Sequence, residues 1–139
     1  MTQVEFYSTD YFCSTDIDIV VIGARFRDQW IFVKSLKRAC YEMPAGHVEK
    51  DEQADFAAAR ELMEETGAIK FVIECINTYS VRIDKETKWG KLYLAYVLEL
   101  GEIPDKKEID HIYLDDSIPG YSKFREVQIP LYKRLKEVY

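Results

Sequence analysis

The chain has 139 residues, 47% of them apolar and 32% charged. That supports one buried core under a charged surface and excludes a disordered chain, which would be poor in apolar residues. Acidic residues outnumber basic ones 25 to 19, for a formal charge of −6, so duplex nucleic acid and anionic membranes are not expected partners, because both reward a basic surface.

The first residues, Met1-Thr2-Gln3-Val4-Glu5, lack the basic region and apolar block of a secretory signal. The longest apolar stretch, Ile17 to Phe26, is broken by Asp18, Gly23 and Arg25, well short of the roughly 18 apolar residues of a membrane span. That stretch is rich in β-branched residues and predicts a buried strand, with a turn at Arg27-Asp28-Gln29 and a hairpin partner over Trp30–Leu36. A short extended piece follows around Tyr41-Glu42-Met43, and Pro44 bars a helix there. From Asp51 to Thr66 the pattern predicts a helix, opened by Asp51 and Glu52 and enriched in alanine. Gly67 stands where a helix C-cap is expected. Strands are expected over about 71–83 and 91–100, a polar loop over 101–108 and a short strand over 109–114. Apolar residues at Phe124, Val127, Leu131, Leu135 and Val138 recur three or four apart, predicting an amphipathic helix over about 122–138 that Pro130 should kink or delay. Strands flanked by two helices suggest an α/β fold with a mixed sheet between them. No repeat or linker divides the chain, so a single domain over 1–139 is expected. Three cysteines, Cys13, Cys40 and Cys75, form no disulfide or zinc pattern; each is expected to be a small, wholly or partly buried side chain in a reducing cytoplasm.

The central helix concentrates charge. With about 100° per residue, Glu64 falls about 60° to one side of Glu61 and Glu65 about 40° to the other. Three like charges within one turn repel by up to roughly 3 kcal/mol per pair, less where water screens them. A solvated face would interleave lysines, yet Arg60 is the only basic residue between 52 and 69. A divalent cation would remove the conflict, and hard oxygen donors select Mg²⁺ or Mn²⁺ over zinc. The apolar side of the helix is expected to comprise Phe56, Ala58, Ala59, Leu62 and Met63.

The string Gly46-x5-Glu52-x7-Arg60-Glu61-Leu62-x-Glu64-Glu65-x-Gly67-Ala68 resembles the signature box of the Nudix hydrolase family, G-x5-E-x7-R-E-U-x-E-E-x-G-U, where U is a bulky aliphatic residue. Every fixed position matches; Ala68 is smaller than the usual last residue. The resemblance implies an α/β/α sandwich and Mg²⁺- or Mn²⁺-dependent hydrolysis of a pyrophosphate bond in a nucleoside diphosphate linked to another group. It implies Glu61, Glu65 and Glu64 as metal ligands and catalytic acids, with the Gly46 backbone carbonyl near the metal and Ala45 and Gly46 in the substrate loop. Arg60 either orients Glu61 and bridges to Glu52 or touches phosphate. Glu52 is a helix-dipole partner or an outer ligand. A further acid is expected from a later loop, with Glu108 preferred over Glu99 and Glu102. His47 and His111 are weaker candidates, and Tyr7, Tyr11 or Tyr79 are candidates for stacking on a base.

Substrate markers of the family are sparse. The downstream proline of many ADP-ribose hydrolases, the tyrosine of dinucleoside polyphosphate hydrolases and a coenzyme A motif are absent, and no extra N-terminal strands are expected. Elimination leaves a (d)NTP such as an oxidised guanine nucleotide, giving NMP and pyrophosphate. ADP-ribose, nucleotide sugars and dinucleoside polyphosphates remain alternatives, as does a non-catalytic nucleotide-sensing module. The expected partner is thus a small nucleotide, with a homodimer through the C-terminal helix left open.

Overall fold

The computed structural model describes residues 2–11, 17–38, 40–104, 108–119 and 125–139. In chain order the elements are β1 (Thr2–Tyr7), β2 (Ile19–Phe26), β3 (Gln29–Ser35), β4 (Tyr41–Glu42), β5 (Ala45–His47), α1 (Ala54–Thr66), β6 (Ala68–Ile83), β7 (Glu86–Leu100), β8 (Ile109–Asp115) and α2 (Arg125–Val138). One sheet runs β1-β6-β7-β2-β3-β4, with β5 also on β2 and β8 also on β3. β2 and β7 pair in parallel and the remaining pairs are antiparallel, so the sheet is mixed as expected. The β2–β3 hairpin turns on Arg27 and Asp28, both at positive φ (49° and 68°), the backbone shape that suits the twist of a two-residue hairpin.

Strand alternation assigns the two faces. Val20, Ile22 and Ala24 of β2, Ile31 of β3 and Tyr93, Ala95 and Val97 of β7 pack under Ala57, Ala58 and Leu62 of α1. Their neighbours Val21, Trp30, Phe32, Leu92 and Leu94 pack with Leu131, Tyr132 and Leu135 of α2. The sheet is therefore sandwiched between the helices, as the α/β/α reading expects. The 3.6-residue stripe of α2 is spent on this core. No helix among the described residues is long and apolar enough to cross a membrane. Cys40 is buried, with its Sγ donating to Glu42 Oε1 (3.3 Å), and Cys75 is half-buried; Cys13 lies outside the described residues.

Three details differ from the sequence reading. β1 was not expected; it pairs with β6 from Thr2↔Ile83 to Tyr7↔Thr78, and its signal is only the short alternation of Val4 and Phe6, which join the α2-side core. β6 and β7 extend to 16 and 15 residues because each supports the other along its whole length. α1 starts at Ala54, not Asp51: residue 51 has φ 64°, and Glu49 and Glu52 close a turn, the Glu52 N–H donating to the Glu49 carbonyl (3.0 Å) and the Glu49 N–H to Glu52 Oε1 (3.0 Å). The acid in the first helical turn is Asp55. As expected, α2 is a helix that includes Pro130; the proline's missing N–H costs one helical bond, outweighed by burial of Leu131 and Leu135. Ser122–Phe124 of the expected helix lie outside the described residues.

Candidate active site

Burial along α1 corrects the expected division of its faces. Phe56 and Met63 are exposed, while Ala57, Ala58, Leu62 and Thr66 are buried. On the helical projection Ala57 and Ala58 lie about 40° and 60° either side of Glu61. Glu61 and Glu65 therefore share the arc that faces the sheet. The small alanines one turn earlier let α1 sit close to the strands, so the longer acids of the next turn stand over the loop containing β5. Only 12% of the Glu61 side chain is exposed, against 42% for Glu64. The solvated-face reading fails for Glu61 and Glu65 and holds in part for Glu64.

The β5 loop meets these acids through its backbone. The Ala45 N–H donates to Glu65 Oε1 (3.0 Å). A Cβ on Gly46 would stand 2.0–2.5 Å from the Glu61 carboxyl atoms, so only a glycine allows this approach. β5 is held in place by its pairing with β2, Val20↔Gly46 and Val21↔Ala45.

Arg60 organises the opposite edge of the cluster. Its Nε donates to Glu52 Oε2 (2.7 Å) and its Nη2 to Glu52 Oε1 (2.9 Å) and the His47 carbonyl (3.1 Å). Its Nη1 donates to Glu61 Oε1 (2.9 Å) and Glu64 Oε2 (3.3 Å). All five N–H donors of the guanidinium are thus engaged by protein. That geometry suits a residue that positions Glu61 and the β5 loop and leaves no donor for phosphate.

The acids accordingly separate by environment. The fork of hydrogen bonds from Arg60 lowers Glu52 to about 2, with help from the Glu49 N–H. The same partners raise the already high pKa of Arg60. Glu61 is raised, chiefly by burial, with Arg60 opposing and the charges of Glu64 and Glu108 adding. Glu65 is pushed up to about 8 by burial; the Ala45 N–H opposes this, and the charges of Glu61, Glu108 and Glu42 add to it. The Glu61–Glu65 end is short of positive charge.

Of the three later-loop candidates, Glu108 faces the cluster, since its charge acts on both Glu61 and Glu65. Glu99 is exposed at the β6–β7 pairing with Lys70, and Glu102 is exposed in a hollow with Thr66 and His111. The His47 side chain points out toward Asp18 (3.6 Å); only its backbone carbonyl joins the cluster. His111 is held by Tyr41 Oη (2.8 Å) and Asp110 (2.7 Å). Tyr79 is buried in the α2-side core and is not available to stack on a base. Sequence reasoning gave Glu42 no role: it is buried, accepts a hydrogen bond from Arg38 Nε (2.6 Å) and lines a small cavity of about 30 Å³ with Ala45 and Glu65. Its place in the string 42–49, just before the box, was the only hint.

Among the described residues no three acidic, imidazole or thiol side chains stand close enough to hold an ion as they are. The donor chemistry nevertheless fits a hard divalent cation. The site presents only oxygen donors, two of its carboxyls are raised by burial and mutual repulsion, and the cradle at Gly46 leaves the Glu61 carboxylate beside bare backbone.

The model of the NUDIX domain matches residues 16–128. The ADP-ribose pyrophosphatase of Bacillus subtilis (strain 168) is 34% identical over 96 residues, which make up 69% of this chain and 48% of that protein. The chain thus spans about half the length of the curated relative it matches. Among solved structures, the Bacillus subtilis pyrophosphohydrolase BsRppH (E68A mutant) superposes with a TM-score of 0.80 at 26% identity, covering 99% of this chain and 90% of that one. The NUDIX domain of Shewanella oneidensis NrtR complexed with ADP ribose has a TM-score of 0.70 at 15% identity over 95% and 93% of the two chains, a likeness of fold alone.

Proposed function

The chain belongs to the Nudix family, and from that premise we propose that it is a divalent-cation-dependent pyrophosphohydrolase, folded as one domain over 1–139, that cleaves the phosphoanhydride bond of a nucleoside diphosphate linked to another group. The observation that carries this reading is the pairing of Glu61 and Glu65, crowded and half-buried, with the glycine-bared backbone of β5. Glu61, Glu65 and Glu64, with the Gly46 carbonyl, would hold Mg²⁺ or Mn²⁺. Such an ion neutralises phosphate charge and acidifies water. The residues supply the rest. Arg60 fixes Glu61 and the His47 carbonyl, and so sets the β5 loop against the helix. The Ala45 N–H fixes Glu65. Glu64, the most exposed of the three acids, and Glu108 are placed to take the proton of the attacking water. The free, half-buried Cys75 suits a cytoplasmic setting.

Within this class a (d)NTP, such as an oxidised guanine nucleotide yielding NMP and pyrophosphate, is the first reading. ADP-ribose is the second, favoured by the 34% identical relative and by β1, an N-terminal strand that the elimination assumed absent. A nucleotide-sensing module is disfavoured because every box acid is present. The test is a panel of (d)NTPs, ADP-ribose, nucleotide sugars and dinucleoside polyphosphates with and without Mg²⁺ or Mn²⁺, read by release of pyrophosphate or monophosphate. Cation-dependent turnover of one class supports the proposal; tight nucleotide binding with no turnover of any supports the sensing module instead.

A further inference from the structure

Among the described residues nine aromatic rings lie in or against the two cores. Tyr7, Tyr11 and Trp89 belong to neither and gather on one patch of the sheet. Ring centroids are 4.4 Å apart for Tyr7–Tyr11, 5.3 Å for Tyr7–Trp89 and 5.6 Å for Tyr11–Trp89, the last pair stacked at 19°.

Strand register gives the face. Val4 and Phe6 of β1 and Tyr79 and Val81 of β6 point into the α2-side core, so Gln3, Glu5 and Tyr7, paired across from Arg82, Ser80 and Thr78, point to the α1 side. On β7, Trp89 shares that side with Tyr93, whose hydroxyl donates to Asp55 in the first turn of α1 (2.5 Å). The patch therefore opens on the same face as the acids, beyond the reach of α1. Its hollow, about 300 Å³, is lined by Gln3, Glu5, Tyr7, Tyr11, Arg82 and Trp89, with Ser80 and Thr87. Tyr7 is fixed: its hydroxyl donates to Glu5 Oε2 (2.8 Å) and lies 3.2 Å from Ser80 Oγ.

The route to the acids is short. The Asp18 N–H donates to the Trp89 carbonyl (2.9 Å) and the Val48 N–H to the Asp18 carbonyl (2.9 Å), so two strand spacings separate Trp89 from the β5 loop. Gly46 lies two residues further along, which puts Trp89 and Gly46 roughly 12 Å apart backbone to backbone. An extended nucleoside polyphosphate can bridge such a gap.

We propose that Tyr7, Tyr11 and Trp89 form the nucleobase subsite of this protein. The base stacks against the Trp89 and Tyr11 planes, its edge meets the polar rim of Gln3, Arg82 and Thr87, and its phosphates reach back to the Glu61–Glu65 end. The location rests on the pyrophosphohydrolase reading; the stacking chemistry rests on the rings.

The chain has two tryptophans; Trp30 is buried in the α2-side core at 2% exposure, away from the patch, so a base-dependent change in emission is expected from Trp89. Adding AMP or GMP should quench the wild-type emission, whereas ribose 5-phosphate should not, and Trp89→Phe should abolish the response. In steady state, Trp89→Ala and Tyr11→Ala should each raise KM for the nucleotide substrate roughly tenfold with kcat nearly unchanged, and leave the kinetics of base-free ribose 5-triphosphate unaltered. Trp89→Phe, which keeps an aromatic plane, should stay near wild type and controls for folding. Equal losses on nucleotide and base-free substrate, or wild-type KM in both alanine variants, would overturn the subsite. Base-dependent quenching without turnover of any nucleotide overturns the hydrolase reading and leaves the subsite standing; turnover without base-dependent quenching does the reverse.

Discussion

The two faces of the sheet use the same strands for opposite ends. On the α2 side Trp30, Phe32, Leu92, Leu94, Leu131 and Leu135 exclude water almost completely. On the α1 side the helix brings small residues, Ala57 and Ala58, to the core and sets Glu61 and Glu65 half-buried beside them. Burying apolar side chains stabilises the fold by roughly 1.5–3 kcal/mol each; half-burying like-charged acids works against it. Apolar burial therefore supports both faces of the sheet, and chemical tension is added in front of it. A second contrast lies within the front face. Glu52, forked by Arg60, falls to about 2, while Glu65, with burial and three neighbouring acids against it, rises to about 8. The box places one base where it locks the loop and none at the Glu65 carboxylate, which is the end left for a cation.

Substitutions on the two faces should therefore differ in kind, stability being lost behind the sheet and turnover in front of it. The largest change is expected behind the sheet. Leu135→Ala should cost about 2–5 kcal/mol in denaturant unfolding while the folded fraction keeps its turnover. In front, Glu65→Gln should lower turnover at least about 10²-fold, the scale of losing a charge-stabilising group, with the thermal midpoint unchanged or raised, because the amide replaces an acid that ionises more readily in the unfolded chain than in its buried site. A fall below fivefold would remove Glu65 from the site. Gly46→Ala should lower kcat/KM by on the order of tenfold or more, since its Cβ displaces the Glu61 carboxyl; the carboxyl is the free end of a flexible chain, so the unfolding midpoint should barely move. His47→Ala should change turnover by less than about twofold, because the protein uses its carbonyl and not its ring. A large effect there would redraw the boundary of the site.

Much of this was legible in the sequence because it is local. The box spacing fixes which acids share a turn, and β-branched runs mark β2 and β3. What was not legible depends on tertiary contact. The helix start moved because the Glu49–Glu52 turn competes with the first helical turn. The buried side of α1 was misread because Phe56 and Met63 outweigh alanine in hydrophobicity, yet alanine is what lets the helix approach the sheet closely. β1 depends on the β6 edge, and its own six residues say little. Glu42 and the Tyr7–Tyr11–Trp89 patch draw together residues distant in sequence.

Everything proposed for the front face depends on the Glu61–Glu65 end of α1 binding a divalent cation. Titrating Mn²⁺ into the purified protein at about pH 6 and pH 8 tests it without a substrate. A carboxyl raised to about 8 holds its proton below that pH, so protons compete with the ion and binding should tighten as pH rises toward 8. Binding should be saturable, strengthen in this way and be lost in Glu61→Gln and Glu65→Gln. No binding at either pH, or binding that survives both substitutions, would contradict this assignment.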